Sequence, residues 1–239
     1  LLMSNYNYYG FETLGKRTTD FGLMCVEHIV GFPTKNKILI DVPFSNKIYD
    51  FSNIYGGQVF TNRTLKFKFL FNQSGKDGLY RVWTKVANWL MNGKEKFPLY
   101  DDRMRAYYYL AEVSEIQDFE DAFSEGYLTI ILDCYPFRIY ELQEGNDIWD
   151  SFDFELDIAQ NTTFEVAGTK SVVLFNTGTP SIKPTIKASS EMKLVKNNTQ
   201  LVIPAGTSSL PRFSLEVGEN RFSLIGNGTI EFIWHKELV

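Results

Sequence analysis

The chain has 239 residues, of which 44% are hydrophobic and 22% charged, enough to build an apolar core in one large domain or two small ones. Its formal net charge of −5 gives no chain-wide basic field, and from Ala106 to Thr169 fifteen acidic residues face a single base, Arg138. Tight, non-specific binding of nucleic-acid backbones is therefore disfavoured. Aromatic residues at 15%, with many Val, Ile and Thr, tilt the expectation toward β-structure.

The first residues, Leu1 to Gly10, lack the charged and apolar regions of a signal peptide, and Leu1 and Leu2 read as preceding a native start at Met3. The longest strongly apolar run, Tyr127 to Leu132, is too short to span a bilayer, so the expectation is a chain made in the cytoplasm with no membrane partner. Cys25 and Cys134 lie far apart and read as reduced, structural residues, with a disulfide between them as the alternative.

In chain order, Asn62 to Phe71 predicts a strand, with Leu65, Phe67, Phe69 and Phe71 on one face and Thr64, Lys66 and Lys68 on the other. A helix follows. Ser74 and Asp77 have capping-box spacing, Leu79, Val82, Trp83, Val86 and Leu90 form an apolar stripe, and Gly93 supplies the stop. Leu99 to Ser114 reads as a hairpin turning at Asp101 and Asp102, and Tyr127 to Phe137 as a buried strand.

All 13 tyrosines lie at or before Tyr140, and the polar, Gly145-containing stretch from Gln143 to Asp150 suits a connector. The expected division is residues 1–142 and 143–239. In the second part, Phe152, Phe154, Leu156 and Ile158 alternate with Asp153, Glu155 and Asp157, as in a half-buried strand. The end reads as a meander. Phe213 to Val217 turns at Gly218 to Asn220 into Arg221 to Ile225, and Gly226 to Gly228 turns it into Thr229 to Trp234. Short strands with Gly and Asn turns suggest a β-sandwich.

Catalytic constellations are missing from this pattern. His28 and His235 stand at opposite ends of the chain without metal-ligand neighbours, and no P-loop, dinucleotide fingerprint or nucleophile elbow occurs. The adjacent pairs Asp101-Asp102 and Glu120-Asp121 point to opposite faces of a strand, which suits neither glycosidase geometry. The row Asp153, Glu155 and Asp157 reads as a solvated face, because calcium needs ligands wrapped around a point. No catalytic residue, metal or cofactor is expected. For sugar stacking the second part offers Trp149 and Trp234, and Trp234 falls in the buried alternation with Ile230 and Phe232.

Several segments taken together resemble the distal tail protein of siphophages infecting Gram-positive bacteria. These are Asp20 to Leu23, Val42 to Asn46 running through Tyr49-Asp50-Phe51 to Gly57, Asn62 to Phe67, the Trp83 helix, Tyr107 to Val113, and Cys134 to Phe137. They follow in the family's order over roughly residues 4–140, while the second part matches mainly in length and strand pattern, including Val217 to Asn220. Many members have a glycine-rich turn in the extended arm where this chain has Phe44-Ser45. The resemblance implies a mostly β protein. Its first domain would be a β-sandwich with one packed α-helix and an extended arm, and its second a galectin-like β-sandwich. It further implies a non-enzymatic hub in the virion, at the distal end of the tail. There a hexameric ring would join the tail tube protein to the tail-associated tip protein and to receptor-binding or other baseplate proteins, with DNA passing through unbound.

A closed ring needs a heterologous contact between copies. The segment Lys37 to Phe60, carrying Pro43, Phe44, Tyr49, Phe51, Tyr55 and Phe60, is the candidate, with folding back onto its own core as the alternative. Glu115, Asp118, Glu120 and Asp121 read as a loop between strands, lining a channel or standing on an outer surface. A carbohydrate-binding module for host cell-wall saccharide is the competing functional reading, and a glycosidase a more distant third.

Overall fold

The structure, a computed structural model, describes residues 9–52, 57–73, 75–117, 120–122, 125–148, 153–155 and 157–239. The described residues are mostly β with one α-helix, and the chain divides into two compact units, one running to Arg138 and the other from Ile139 to Leu238.

The first unit contains β1 (Phe11–Thr13), β2 (Lys16–Arg17), β3 (Met24–Val30), β4 (Leu39–Asp41), β5 (Ile48–Asp50), β6 (Arg63–Asn72), α1 (Gly75–Met91), β7 (Phe97–Asp101), β8 (Tyr107–Ile116), β9 (Glu120–Ala122) and β10 (Glu125–Cys134). Its main sheet runs β2-β1-β7-β8-β10-β6-β3, with β9 paired to β10, while β4 and β5 pair only with each other. The period of two in β6 sends Leu65, Phe67, Phe69 and Phe71 into the core, each almost fully buried. At roughly 1.5–3 kcal/mol for each fully buried large apolar side chain, this one face is a major share of the unit's stability.

Helix α1 covers the same core with Leu79, Val82, Val86, Trp89 and Leu90. Trp83, expected in the stripe, is only partly buried, and Trp89 lies deeper. The Trp89 ring stacks on Phe11 and Phe21 at 5.8 and 4.9 Å, and its Nε1 donates to the Thr13 carbonyl at 3.2 Å. The proposed Ser74 cap lies outside the described residues. Both thiols are free. Burial pushes Cys134 up to about 12 and Cys25 up to about 11.

The second unit contains β11 (Arg138–Gln143, entering from the last residue of the first unit), β12 (Thr163–Asn176), β13 (Thr185–Ala188), β14 (Met192–Lys196), β15 (Thr199–Ile203), β16 (Gly206–Ser209), β17 (Gly218–Ile233) and β18 (His235–Leu238). Two expectations fail here. The segment around Asp153–Asp157 is a turn rather than a strand. The Asp153 carboxylate accepts from the Glu155 amide at 2.9 Å, and its carbonyl accepts from the Asp157 amide at 2.8 Å. Phe154 is left exposed. Aspartate's bonding to nearby backbone overrode the apolar alternation. Phe152 and Leu156 lie outside the described residues.

The second failure is the meander. Gly226 to Gly228 is not a hairpin turn but the middle of β17, which pairs with β12 in unbroken register from Asn176↔Gly218 to Thr163↔Glu231. Residues 213–217 form only the bridge Ile182↔Leu215. On a straight strand Phe222 and Phe232 would lie roughly 33 Å apart, yet their ring centroids are 5.3 Å apart. The ribbon therefore folds over on itself.

Glycines permit the bend. Gly168 (φ +80) faces Gly226 (φ +151), and Gly228 (φ +132) follows, a backbone region that side chains rarely adopt. Before the bend β17 pairs with β14, which pairs with β15. After it β17 pairs with β13, which pairs with β16. Both halves feed one core that includes Val172, Leu174, Phe222, Leu224, Ile230, Phe232 and Trp234.

A Cβ on Gly228 would meet the Ser189 Oγ at 2.3 Å in addition to its φ strain. Gly228→Val should cost the second unit about 2 kcal/mol or more, read as a lowered urea midpoint. An unchanged midpoint would mean that the bend does not need glycine.

Candidate interaction surface

Among the described residues, the arm from Thr34 to Thr61 makes its hydrogen bonds to itself. At its base Thr34 and Thr61 join their hydroxyls at 2.8 Å, and the Asn36 amide donates to the Val59 carbonyl at 2.8 Å. Further out, the Phe51 amide donates to the Ile38 carbonyl at 2.9 Å, and Lys37 pairs with Asp50 at 2.8 Å. The Lys37 hydrogen bond, helped by Ser52, holds the Asp50 carboxyl well below the usual range. At the tip Ser45 donates to the Val42 carbonyl at 3.1 Å, and Phe44 sits at φ +62. Phe44 thus occupies in the left-handed region the place that a glycine would take without strain.

None of the arm's described residues belongs to the unit's core. Phe44 is 110% exposed, Tyr49 53% and Phe51 37%, and Ile38, Leu39, Ile40, Ile48 and Val59 are also exposed. Pro43 is exposed at the tip, and Phe60 packs edge-on against Phe137 at 5.3 Å at the base. Tyr55 lies outside the described residues. The exposed residues named here are not tucked into the unit's core. Sequence reasoning missed Ile38, Leu39 and Ile40, although three consecutive apolar residues cannot all face one side of a strand.

It also missed Arg63, the hinge post of the arm. This side chain is buried, its Nε donates to the Gly31 carbonyl at 2.9 Å, and its guanidinium lies 5.9 Å from the Phe32 ring centroid and 5.5 Å from that of Tyr109. Burial lowers its pKa.

The described members of the acidic group, expected in a loop, lie in strands. Glu115 is exposed in β8 opposite Ile131, and Glu120 and Asp121 lie in β9 opposite Tyr127 and Gly126. Asp118 lies outside the described residues. Backbone pairing with β10 drew these carboxylate-bearing residues into the sheet despite their low strand propensity.

A buried polar network ties the chain's first described residues to the sheet. The Tyr9 hydroxyl donates to Asp101 and meets His28 Nδ1 at 2.8 Å, while His28 Nε2 lies 3.4 Å from Asp101. His28 stacks on Phe67 at 4.2 Å, and the Arg103 guanidinium lies 4.6 Å from the Tyr9 ring centroid. Burial lowers the His28 pKa below 6.5, with Asp101 opposing, and raises that of Tyr9. The Cys25 thiol, raised to about 11 by burial, carries little thiolate near neutral pH. His235 is likewise bonded, through Nδ1 to the Tyr140 carbonyl at 3.0 Å. Among the described residues no group of three or more His, Cys, Asp or Glu is arranged to hold a metal ion, and no helix is long and apolar enough to cross a membrane.

Because the folded chain resists protonating His28, the unfolded chain binds that proton first as pH falls below 6.5. The stability that His28 contributes is fully present above pH 6.5 and declines below it. Urea melts between pH 7.5 and 5.5 should show this decline, and His28→Phe should flatten it. An identical slope in the variant would assign the effect to other groups.

No family model matches the chain, and no curated protein matches it in sequence. Among solved structures it is similar to the Dit protein (gp 19.1) of phage SPP1, described as a paradigm of the hub adsorption apparatus in phages infecting Gram-positive bacteria. The TM-score is 0.67 at 14% identity, covering 97% of this chain and 99% of that one. At this identity the likeness is one of fold. Looser similarity, with TM-scores of 0.39 and 0.40 at 9% identity, links it to chains of the phage p2 baseplate in its activated conformation with Sr and with Ca. These cover 92% and 94% of this chain and 90% and 93% of those.

Proposed function

We propose that this chain is a distal tail protein, a structural and non-enzymatic hub of a phage tail tip. Its copies close a hexameric ring that joins the tail tube to tail-tip and receptor-binding proteins and lets DNA through. The observation that carries the reading is the arm. A two-stranded hairpin is marginal by itself, and this one keeps Phe44, Tyr49, Phe51 and the Ile38–Ile40 run in solvent. Burial against the next copy in a head-to-tail ring accounts for that surface. It also accounts for the strained Phe44, since contacts with a neighbour would hold a conformation that is costly alone. The fold shared with the SPP1 hub protein supports the same reading.

In the ring, the acidic stretch that carries Glu115, Asp118, Glu120 and Asp121 borders the bore. Its charges repel phosphates there and leave DNA no counterion-release drive to stay bound. The ring stands at the distal end of the virion's tail, after synthesis in the host cytoplasm.

Light scattering over a range of concentrations should give a mass near six copies, and a monomer at every concentration would count against the ring. Tyr49→Asp or Phe51→Asp should yield folded monomers, since losing one anchor costs about 2 kcal/mol or more, a roughly 30-fold weaker contact. Rings that persist in both variants would move the interface elsewhere. Reversing the four acids to Lys should slow DNA ejection, whereas unchanged kinetics would put them on the outer surface.

A further inference from the structure

The hairpin of β14 and β15 turns through Asn197 and Asn198, both left-handed at φ +50 and +62, as a two-residue turn of this kind requires. Between that turn and residues 212–216 lies a groove of about 230 Å³ whose lining includes Lys196, Asn197, Thr199, Arg212 and Glu216. This space is large enough to admit a small molecule.

Among the described residues the cations in this groove make no ion pair, although Glu216 is near enough to favour the charged form of Lys196. Lys196 Nζ donates to the Ser214 carbonyl at 2.8 Å and to Asn220 Oδ1 at 2.9 Å, and lies 5.6 Å from the Phe213 ring centroid. An ammonium has three donors, so one remains for something in the groove. Burial lowers the pKa of Lys196, with Glu216 opposing. Arg212 is exposed and, among the described residues, neither cation makes an ion pair. The one acid in the groove, Glu216, instead accepts from Ser214 Oγ at 2.6 Å.

We infer that this groove binds an oxyanion of the phosphate class, with the third Lys196 N–H and the Arg212 guanidinium as its donors. A partly desolvated cation that makes no ion pair gains most from an arriving anion, and a guanidinium fork matches the edge of a phosphate. The carboxylate of Glu216 repels any arriving anion, so the two cations together must outweigh it. Asn197 and Thr199, on the rim, suit the hydroxyls of a larger molecule bearing the phosphate ester. The site belongs to the second unit alone and stands or falls apart from the ring.

Titration of the full chain, followed by amide NMR shifts, would use inorganic phosphate, glucose 6-phosphate, glucose and acetate. Saturable shifts around residues 196–199 and 212–216 with both phosphates, and none with glucose or acetate, are expected. Tighter binding of the ester marks a phosphorylated sugar-like ligand, and equal binding marks the free ion. Arg212→Ala, whose side chain has no partner to lose, should weaken binding about tenfold with the melting temperature unchanged. Lys196→Met should abolish it. Absence of saturable phosphate binding would overturn the site. So would undiminished binding by Arg212→Ala, or an equal loss on changing Lys187, which already pairs with Glu231 at 3.8 Å.

Discussion

The buried face of β6 is the constraint on which the first unit depends. Leu65, Phe67, Phe69 and Phe71 lock that strand between β3 and β10 and under α1. Immediately upstream, Arg63 is buried, bonded to the Gly31 carbonyl and flanked by two aromatic rings. A strand that cannot slip without turning its phenylalanines to water holds the arm's exit in place. The arm's two legs join through Thr34 and Thr61, so its apolar residues have no route back into the core. Its exposed surface is thus a consequence of the sheet's register, and a partner's burial of that surface would bring the strained tip of Phe44 with it.

In the second unit the corresponding constraint is conformational. One ribbon, β12 with β17, serves both layers because glycines at 168, 226 and 228 let it turn over without breaking its ladder. A tight hairpin at the same place would have given a flat meander and left Phe222 far from Phe232. The bend instead closes a core on both halves and leaves hairpin ends such as Asn197-Asn198 free to shape surface grooves.

Charge is handled differently in the two units. In the first, the Tyr9 hydroxyl links Asp101 to His28 Nδ1 and anchors an edge of the sheet, while His28 Nε2 is left without a hydrogen bond. In the second, Lys236 and Asp157 form a buried pair, whereas Lys196 is held by neutral oxygens alone. Paired groups of this kind stabilise a fold. An unpaired cation at a groove is where binding chemistry begins.

Local periodicity determined a good deal from the sequence. The alternation of β6 and the stripe of α1 were legible because period two and period 3.6 each select one face regardless of what covers it. The burial of Trp234 followed from the same logic. The failures lay where two local signals competed. At Asp153 the side chain's bond to the backbone defeated an apolar alternation, and at Gly226 to Gly228 turn-forming residues were used for a bend inside a strand. Only the tertiary structure decided those outcomes, because each depends on which distant strand supplies the backbone's hydrogen bonds. For the same reason the exposure of the arm, the burial of Arg63 and the meeting of Lys196 with Arg212 could not be read from sequence order. Each depends on contacts that close only once the sheets have formed.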